Sequence, residues 1–297
     1  RKQENINRLP AVAGSFYPAK PQEIRDMLQG FFNQVKAVPD CKPLALVVPH
    51  AGYVFSGEVA AAAYRQLDPN RTFSHVFIIG PNHRVYFNGV DIYTGGNFTT
   101  PLGDVPIDPL AGELVAKNKS FSSDLTPHRQ EHSIEVQLPF LQYWLKKPFT
   151  IVPILVGGES QETTRQLASA LSPYLTEENL FIISSDFSHY PEYNIALKAD
   201  RFTADAIIAN NSRQFIQVKE QNEKDYSPGL ETAMCGWMPM LTLLQITEKN
   251  KGVEFRKILY RGWRQCRRGN AHRYSGDGDQ DRGLCPLRNF CGDLRRS

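Results

Sequence analysis

The sequence lacks the features that place a chain in a membrane or in an oxidising compartment. Its 297 residues contain no apolar run of about 18 residues or more, so no segment is predicted to span a bilayer. The opening stretch RKQENINRLP has no apolar core of the kind that a secretory signal needs. Of five cysteines, only Cys41 and Cys235 precede residue 260, which does not support a disulfide framework. We therefore expect a cytoplasmic protein that does not bind membranes.

Lysine is absent from the end of the chain, and a basic stripe is absent from its body. The net charge is +3, from 34 basic and 31 acidic residues. Residues 261–297 hold nine of the arginines and four of the aspartates, which leaves 25 basic against 27 acidic residues upstream. Because the body carries no excess of positive charge, we do not expect it to bind nucleic acid.

The HExxH motif, the Walker A loop and the Rossmann glycine fingerprint are all absent. Short, fully apolar segments instead alternate with helical patterns, which is typical of a parallel sheet covered by helices. The predicted strands are LALVV (44–48), HVFIIG (75–80), FTIVPILVG (149–157), NLFIISS (179–185) and VEFRKILY (253–260). The predicted helices include PQEIRDMLQGFF, SGEVAAAAYRQL, SIEVQLPFLQYWL, SQETTRQLASAL and GLETAMCGWMPMLTLLQI. We expect one α/β domain over residues 1–260, with a mostly parallel central sheet flanked by helices.

Polar residues follow three of these strands at the point where each strand ends. His50 follows the first strand, Asn82 and His83 follow the second, and Asp186 and His189 follow the fourth. Ligands of parallel α/β sheets bind beyond the carboxyl ends of the strands. We therefore expect these side chains to share one edge of the sheet, whereas His75, His128 and His272 are interpreted as structural.

Two kinds of chemistry fit this set of residues. Imidazoles and carboxylates are suitable ligands for a divalent metal such as iron or zinc. A histidine paired with a carboxylate can instead transfer protons. The spacing alone does not choose between a metal centre and an acid–base site.

Six segments in order resemble the Memo family. They are AGSFYP (13–18), PHAGY (49–53), GPNH (80–83), EHSIEVQLPF (131–140), SSDFSH (184–189) and MCG (234–236). The resemblance covers roughly residues 9–260. It implies a fold similar to that of the LigB-type extradiol dioxygenases, which are non-haem iron enzymes.

The resemblance also implies roles for individual residues. His50, His83 and Cys235 would be the metal ligands, with cysteine in the place of the dioxygenase carboxylate. His189 would take the place of the dioxygenase base, with Asp186 beside it as a second catalytic residue. All three ligands bind metal only when deprotonated, so metal affinity is expected to fall as the pH drops toward the ordinary histidine pKa of about 6.5.

The segment EHSIE is expected to line the pocket or to support the ligands. His132 and Glu135 are three residues apart, so one face of a helix could present both. Glu131 could serve as a negative charge in the first turn of that helix. Asn82, beside His83, is placed in the same supporting group.

The resemblance implies a mononuclear site for iron(II), with copper or zinc as alternatives. A redox or metal-dependent activity is expected, and cleavage of catechol rings is not, because the ligand set departs from that of the dioxygenases. The alternative is a non-catalytic protein that binds peptides or handles metal through the former dioxygenase pocket. Microbial members are associated with an AMMECR1-like protein and a radical SAM protein, the AmmeMemoRadiSam system, and these are the expected partners.

The tail, residues 261–297, departs from the resemblance. It is rich in arginine and cysteine, and the N-S/A-G-D-S turn that usually follows the last strand is missing. The segment Gly262–Cys266, GWRQC, can be encoded by GGC TGG CGA CAG TGC. Read one nucleotide later, that string gives Ala-Gly-Asp-Ser. Two hypotheses remain: a frameshift after about Tyr260, or a genuinely divergent basic tail. In either case residues 261–297 are not expected to form a normal last pair of strands, because their apolar content is low and their charge is predominantly of one sign.

The gene distinguishes these two hypotheses. If the frameshift hypothesis holds, the nucleotide sequence will restore the Ala-Gly-Asp-Ser turn and an apolar last strand in the shifted frame. An intact reading frame that recurs with the same tail in close relatives would contradict it.

Overall fold

The computed structural model describes residues 6–38, 42–250, 252–261 and 289–296, and an eight-stranded sheet organises this part of the chain. The strands are Ala45–Val48 (β1), His75–Pro81 (β2), Gly89–Ile92 (β3), Phe98–Thr100 (β4), Gly103–Val105 (β5), Phe121–Ser122 (β6), Ile151–Gly157 (β7), Asn179–Ser184 (β8), Val253–Arg261 (β9) and Asn289–Arg296 (β10). The helices are Pro21–Gln34 (α1), Tyr53–Tyr64 (α2), Leu110–Lys117 (α3), Leu125–Arg129 (α4), Leu138–Trp144 (α5), Gln161–Leu171 (α6), Tyr193–Ile208 (α7), Ser212–Asp225 (α8) and Trp237–Thr247 (α9). Short 3₁₀ turns cover Glu135–Gln137 and Ser172–Tyr174.

The order of strands in the sheet is β6-β3-β7-β2-β8-β1-β10-β9, and β4 and β5 form a separate hairpin. The four central strands β7, β2, β8 and β1 are parallel to one another. Strand β3 is antiparallel to β7, and β10 is antiparallel to both of its neighbours. The predicted α/β domain with a mostly parallel sheet is confirmed, and each of the five predicted strands is present.

The central strands are buried on both faces, which explains why their sequences are apolar throughout. Alternate side chains of β1 belong to different layers: Val47 belongs to the apolar cluster that includes α6 and α9, whereas Leu46 and Val48 belong to the cluster that includes α1, α2 and α5. Two apolar layers therefore enclose the sheet, and its carboxyl edge remains available to polar side chains. None of the described helices combines the length and apolar character that crossing a bilayer requires.

Two predicted helices begin later than the sequence pattern indicates. The segment SIEVQLPFLQYWL starts with a turn and a 3₁₀ turn, and α5 begins only at Leu138. Proline lacks an N–H group and is best accommodated in the first turn of a helix, which is where Pro139 lies in α5. In the segment GLETAMCGWMPMLTLLQI, α9 begins at Trp237, with Pro239 in its first turn, and Cys235 lies in the turn before it.

The structure also corrects the expectation for the tail. Asn289–Arg296 form a strand that pairs antiparallel with β1 and β9, whereas we expected no last pair of strands. The ladder is made by backbone groups, so a segment with few apolar residues can still occupy the place between two strand edges. β10 therefore lies in the same sheet as the residues before position 260. The proposed frameshift junction, residues 262–266, is outside the described part of the chain.

Glu135 anchors the segment that precedes α1. Its carboxylate forms an ion pair with Arg8 and accepts hydrogen bonds from the Tyr17 hydroxyl and from the backbone N–H groups of Ala11 (2.9 Å) and Val12 (3.1 Å). Both charged side chains are at most 1% exposed. A buried carboxylate with this many donors is a structural centre, and its partners are in the N-terminal segment rather than among the histidines expected to share its helix.

Replacing Glu135 by glutamine should strongly destabilise the protein. The substitution preserves shape but leaves the Arg8 charge buried without its counterion, a change that typically costs about 3–5 kcal/mol. Chemical denaturation of E135Q measures the free energy of unfolding. The matched control is E113Q, which removes an exposed ion pair with Lys117 and should give no measurable change. Equal stability of E135Q and E113Q would contradict the anchoring role.

Candidate functional site

The predicted site residues meet at the carboxyl edge of three neighbouring strands. In the sheet, β8 lies between β1 and β2 and is parallel to both. His50 lies two residues beyond β1, His83 two beyond β2, and Asp186 two beyond β8. The prediction that these strand ends share one edge is therefore correct.

His50 is held through its backbone N–H and both nitrogens of its ring. It is 2% exposed, and its backbone N–H donates to Asp186 Oδ1 over 3.0 Å. Its Nδ1 lies 2.9 Å from Ser184 Oγ, and its Nε2 lies 3.2 Å from Cys235 Sγ. The Ser184 contact fixes the ring so that Nε2 faces the sulfur.

Cys235 reaches this position because the turn before α9 packs directly on the end of β8. A Cβ atom at Gly236 would lie 2.6 Å from the Ser185 Cβ, so only glycine permits this approach. The Gly236 N–H donates to Ser185 Oγ (2.8 Å), and the Asp186 N–H donates to Cys235 Sγ (3.3 Å). Because Cys235 lies in this turn and not inside an apolar helix, the residue is only half-buried.

His83 is oriented by Glu131, which belongs to the segment EHSIE that was expected to line the pocket or to support the ligands, although its pairing with His83 was not predicted. The His83 Nδ1 lies 2.9 Å from Glu131 Oε1, and the His83 backbone N–H donates to the same carboxylate. Glu131 is 2% exposed, and the His83 charge and hydrogen bond lower its pKa despite burial. The remaining nitrogen of His83, Nε2, is left for other ligands. In the sequence, Glu131 stands out only as an acidic residue beside His132. Nothing in its spacing indicates a contact with His83.

His132 completes a group of three imidazoles. Its ring centroid lies 4.8 Å from that of His83, 5.3 Å from that of His50 and 4.7 Å from that of Phe16. Burial and the neighbouring His50 lower its pKa to about 3, so it is neutral at neutral pH. Asn82 has a different role: its side chain bonds backbone groups of Arg84 and Val85 and so closes the turn that presents His83.

The sulfur and the imidazoles set one another's charge. Burial opposes ionisation of Cys235, but His50, His189 and His83 lower its pKa well below the ordinary value. Burial likewise opposes a charge on His83, yet the hydrogen bonds and charges of Cys235 and Glu131 raise its pKa to about 10. The pKa of His50 is also raised, by Cys235 and Asp186. These shifts favour a thiolate at Cys235 with protonated imidazoles at His50, His83 and His189, whereas His132 stays neutral.

Asp186 and His189 lie on the other side of the sulfur. Donor atoms of Asp186, His189 and Cys235 all lie within 4.8 Å of one another. Burial raises the pKa of Asp186, and the thiolate raises the pKa of His189 although burial opposes it. Asp186 Oδ2 and His189 Nε2 are buried and have no hydrogen-bond partner among the described residues. Two such atoms at one site mark a place where a ligand or a proton can be received.

Within the described part of the chain, three sets of side chains could hold a metal ion: His50 with His83 and Cys235, His83 with Glu131 and His132, and Asp186 with His189 and Cys235. The side chains of the first set are the best oriented for binding a metal ion. Its two imidazoles are each fixed through Nδ1 by Ser184 or Glu131, which is how proteins orient metal-binding histidines. Two nitrogens and a thiolate also form a donor set that suits iron, zinc or copper.

A cavity of about 380 Å³ leads to this set from outside. It lies between the loop after β2, the end of β7 and the start of α9, and His83 and Cys235 are among its lining residues. His50 and Asp186 are 2% and 1% exposed and lie behind them. The arrangement has the form of a reactive centre at the end of a pocket of small-molecule size.

Two histidines interpreted as structural lie apart from the site. His75 begins β2 at the opposite edge of the sheet, and its Nδ1 lies 2.8 Å from Asp108 Oδ2. His128 is buried, and its Nε2 lies 3.1 Å from Asp91 Oδ1. His272 lies outside the described residues.

Comparison with known proteins agrees with the motifs. Residues 8–268 match the family model of Memo-like proteins. A MEMO1 family protein of Methanopyrus kandleri is 38% identical over 246 residues, covering 79% of this chain and 84% of its own length. One of Thermotoga sp. RQ2 is 35% identical over 263 residues, covering 84% and 91%.

Among solved structures, the uncharacterized protein JW3007 of Escherichia coli K12 has a similar fold, with a TM-score of 0.50 at 10% identity over 84% of this chain and 98% of that one. The family model and the relatives together cover most of the chain, and the chain belongs to the Memo family.

Proposed function

We propose that this protein binds one transition-metal ion, iron(II) in the first place, through His50, His83 and Cys235, and uses it in a redox or metal-dependent reaction. The observation that carries this proposal is geometric: the three donor atoms lie within 4.8 Å of one another. Ser184 and Glu131 orient the two imidazoles toward the sulfur. Copper and zinc accept the same donors and are the alternative ions.

Bound iron(II) would supply a Lewis acid and a one-electron redox couple. The side chains of the protein would hold the ion. His50 and His83 present Nε2, and Cys235 presents a sulfur that is already ionised. Three protein ligands leave positions open for a substrate, as catalytic sites require.

His189 and Asp186 are the groups that can move a proton. The buried Nε2 of His189 has no hydrogen-bond partner among the described residues, and its raised pKa favours the protonated ring. It can therefore hold a proton beside the sulfur and transfer it to a group bound in the pocket. Asp186 fixes the His50 backbone and stabilises the charge on His189.

A metal-handling function is the second candidate. It is favoured by the accessibility of His83, whose side chain is 28% exposed, and of Cys235, which lines the same cavity. Ligands at the mouth of a cavity can pass an ion to a partner protein. The expected partners, an AMMECR1-like protein and a radical SAM protein, enter the proposal through the family resemblance alone. A cytoplasmic location is proposed from the sequence, which has few cysteines before residue 260 and no predicted signal or membrane span.

Metal content tests the ligand set. After anaerobic loading with iron(II), C235S and H50A should retain much less metal than the unaltered protein, because each loses one of three ligands. H189A should retain it, since His189 is assigned to proton transfer. The matched control is H75Q, which alters the opposite end of β2. If C235S and H50A hold as much iron as H75Q, the ligand set is wrong; loss in H189A but not in H50A would favour the set with Asp186.

Metal affinity should increase with pH well above neutrality. The raised pKa of His83, about 10, means that a metal ion must displace a proton from this ring. The apparent association constant for zinc should rise at least about tenfold per pH unit between pH 7 and pH 9, as expected for the release of one proton. If His83 had the ordinary histidine pKa of about 6.5, the association constant would change very little between pH 7 and pH 9.

Competition with a chromophoric chelator, corrected for its own protonation, measures this dependence. In E131Q the hydrogen-bonded charge that raises the pKa of His83 is removed, so the rise should shift to lower pH. An affinity that is constant above pH 7 in the unaltered protein would contradict the charge state assigned to the site.

A further inference from the structure

The cavity in front of His83 and Cys235 has a lining that is selective for a class of ligand. Its volume of about 380 Å³ matches sites for small molecules and is too small for a folded partner. The loop after β2 forms one wall and the first turn of α9 forms the other. Apart from the site residues His83 and Cys235, the one charged group among the described lining residues is the guanidinium of Arg84.

Large apolar side chains dominate the rest of the lining. Tyr86 and Phe87 contribute from the loop after β2, and Trp237 and Met238 contribute from α9. The Tyr86 side chain is 84% exposed, although it stands beside a buried centre. Aromatic walls of this kind favour a flat, apolar ligand body.

Arg84 has no ion-pair partner within the described residues, because no carboxylate there lies within 4.0 Å of its guanidinium. No Asp or Glu is present among the described residues of the lining. A guanidinium presents its N–H groups as a fork that fits both oxygens of a carboxylate. The same fork also fits a phosphate, but one arginine neutralises the single charge of a carboxylate and only part of the double charge of a phosphate ester.

We propose that this cavity binds a small monocarboxylate with a planar apolar body, whose carboxylate pairs with Arg84 and whose body lies between Tyr86 and Trp237. The bound molecule would then lie next to His83 and Cys235. The inference that it is a substrate rests on the proposed metal function, whereas the recognition by Arg84 does not.

Benzoate, benzamide and phenyl phosphate are suitable probes because they share one ring and differ in charge. Binding is followed by tryptophan fluorescence on EDTA-treated protein and on zinc-loaded protein, and W237F shows whether the signal comes from the cavity. We expect benzoate to bind both forms with a Kd on the order of 1 mM or below. Benzamide and phenyl phosphate should bind more weakly.

The variants test the role of Arg84. R84Q should weaken benzoate binding roughly 10- to 100-fold and leave benzamide unchanged, since a hydrogen-bonded charge pair is lost. R84K should recover part of the affinity. The control R213Q alters an arginine of α8 that does not line this cavity, and it should bind benzoate like the unaltered protein.

Each other outcome is informative. Equal binding of benzoate and benzamide, or tighter binding of phenyl phosphate, would overturn the monocarboxylate. Binding that requires zinc and is unaffected by R84Q would overturn the role of Arg84 and leave the metal proposal intact. Arg84-dependent binding to a protein that takes up no metal would support the inference while the proposed function fails.

Discussion

A thiolate buried at the edge of a sheet needs positive charge close to it, and the site is built around this requirement. Cys235 Sγ accepts a hydrogen bond from the Asp186 backbone N–H and lies 3.2 Å from His50 Nε2. In an apolar environment an isolated anion would cost several kcal/mol, so the sulfur is stable only with cations or donors around it. Protons on the imidazoles satisfy this requirement in the metal-free protein. A metal ion in the same place would replace those protons and satisfy it equally.

The sheet provides the precision that this arrangement needs. Because β1, β8 and β2 are parallel neighbours, their carboxyl ends place His50, Asp186 and His83 together without long loops. Ser184, the last residue of β8, contacts His50 Nδ1, so the strand itself orients the ring. Glu131 supports His83 from a turn that Arg8 fixes through the Glu131 carbonyl oxygen. The N-terminal segment thus supports the site through the backbone as well as anchoring the fold through Glu135.

The sequence allowed the strand ends to be predicted because both their apolar character and their polar endings are local. Cys235 could not be predicted in this way: its contact with His50 spans 185 residues, and only the family resemblance pointed to it. The pairing of Glu131 with His83 could not be predicted for the same reason, since the two residues are 48 positions apart. The place of β10 was missed because backbone pairing leaves no signal in an arginine-rich composition.

X-ray absorption at the iron edge of anaerobically loaded protein tests the central claim most directly, because it identifies the atoms bound to the metal. If Cys235 is a ligand, the spectrum will contain one sulfur neighbour at about 2.3 Å, as in metal–thiolate bonds, together with nitrogen neighbours from imidazole. The sulfur contribution should disappear in C235S. A spectrum of the unaltered protein with only nitrogen and oxygen neighbours would contradict the account.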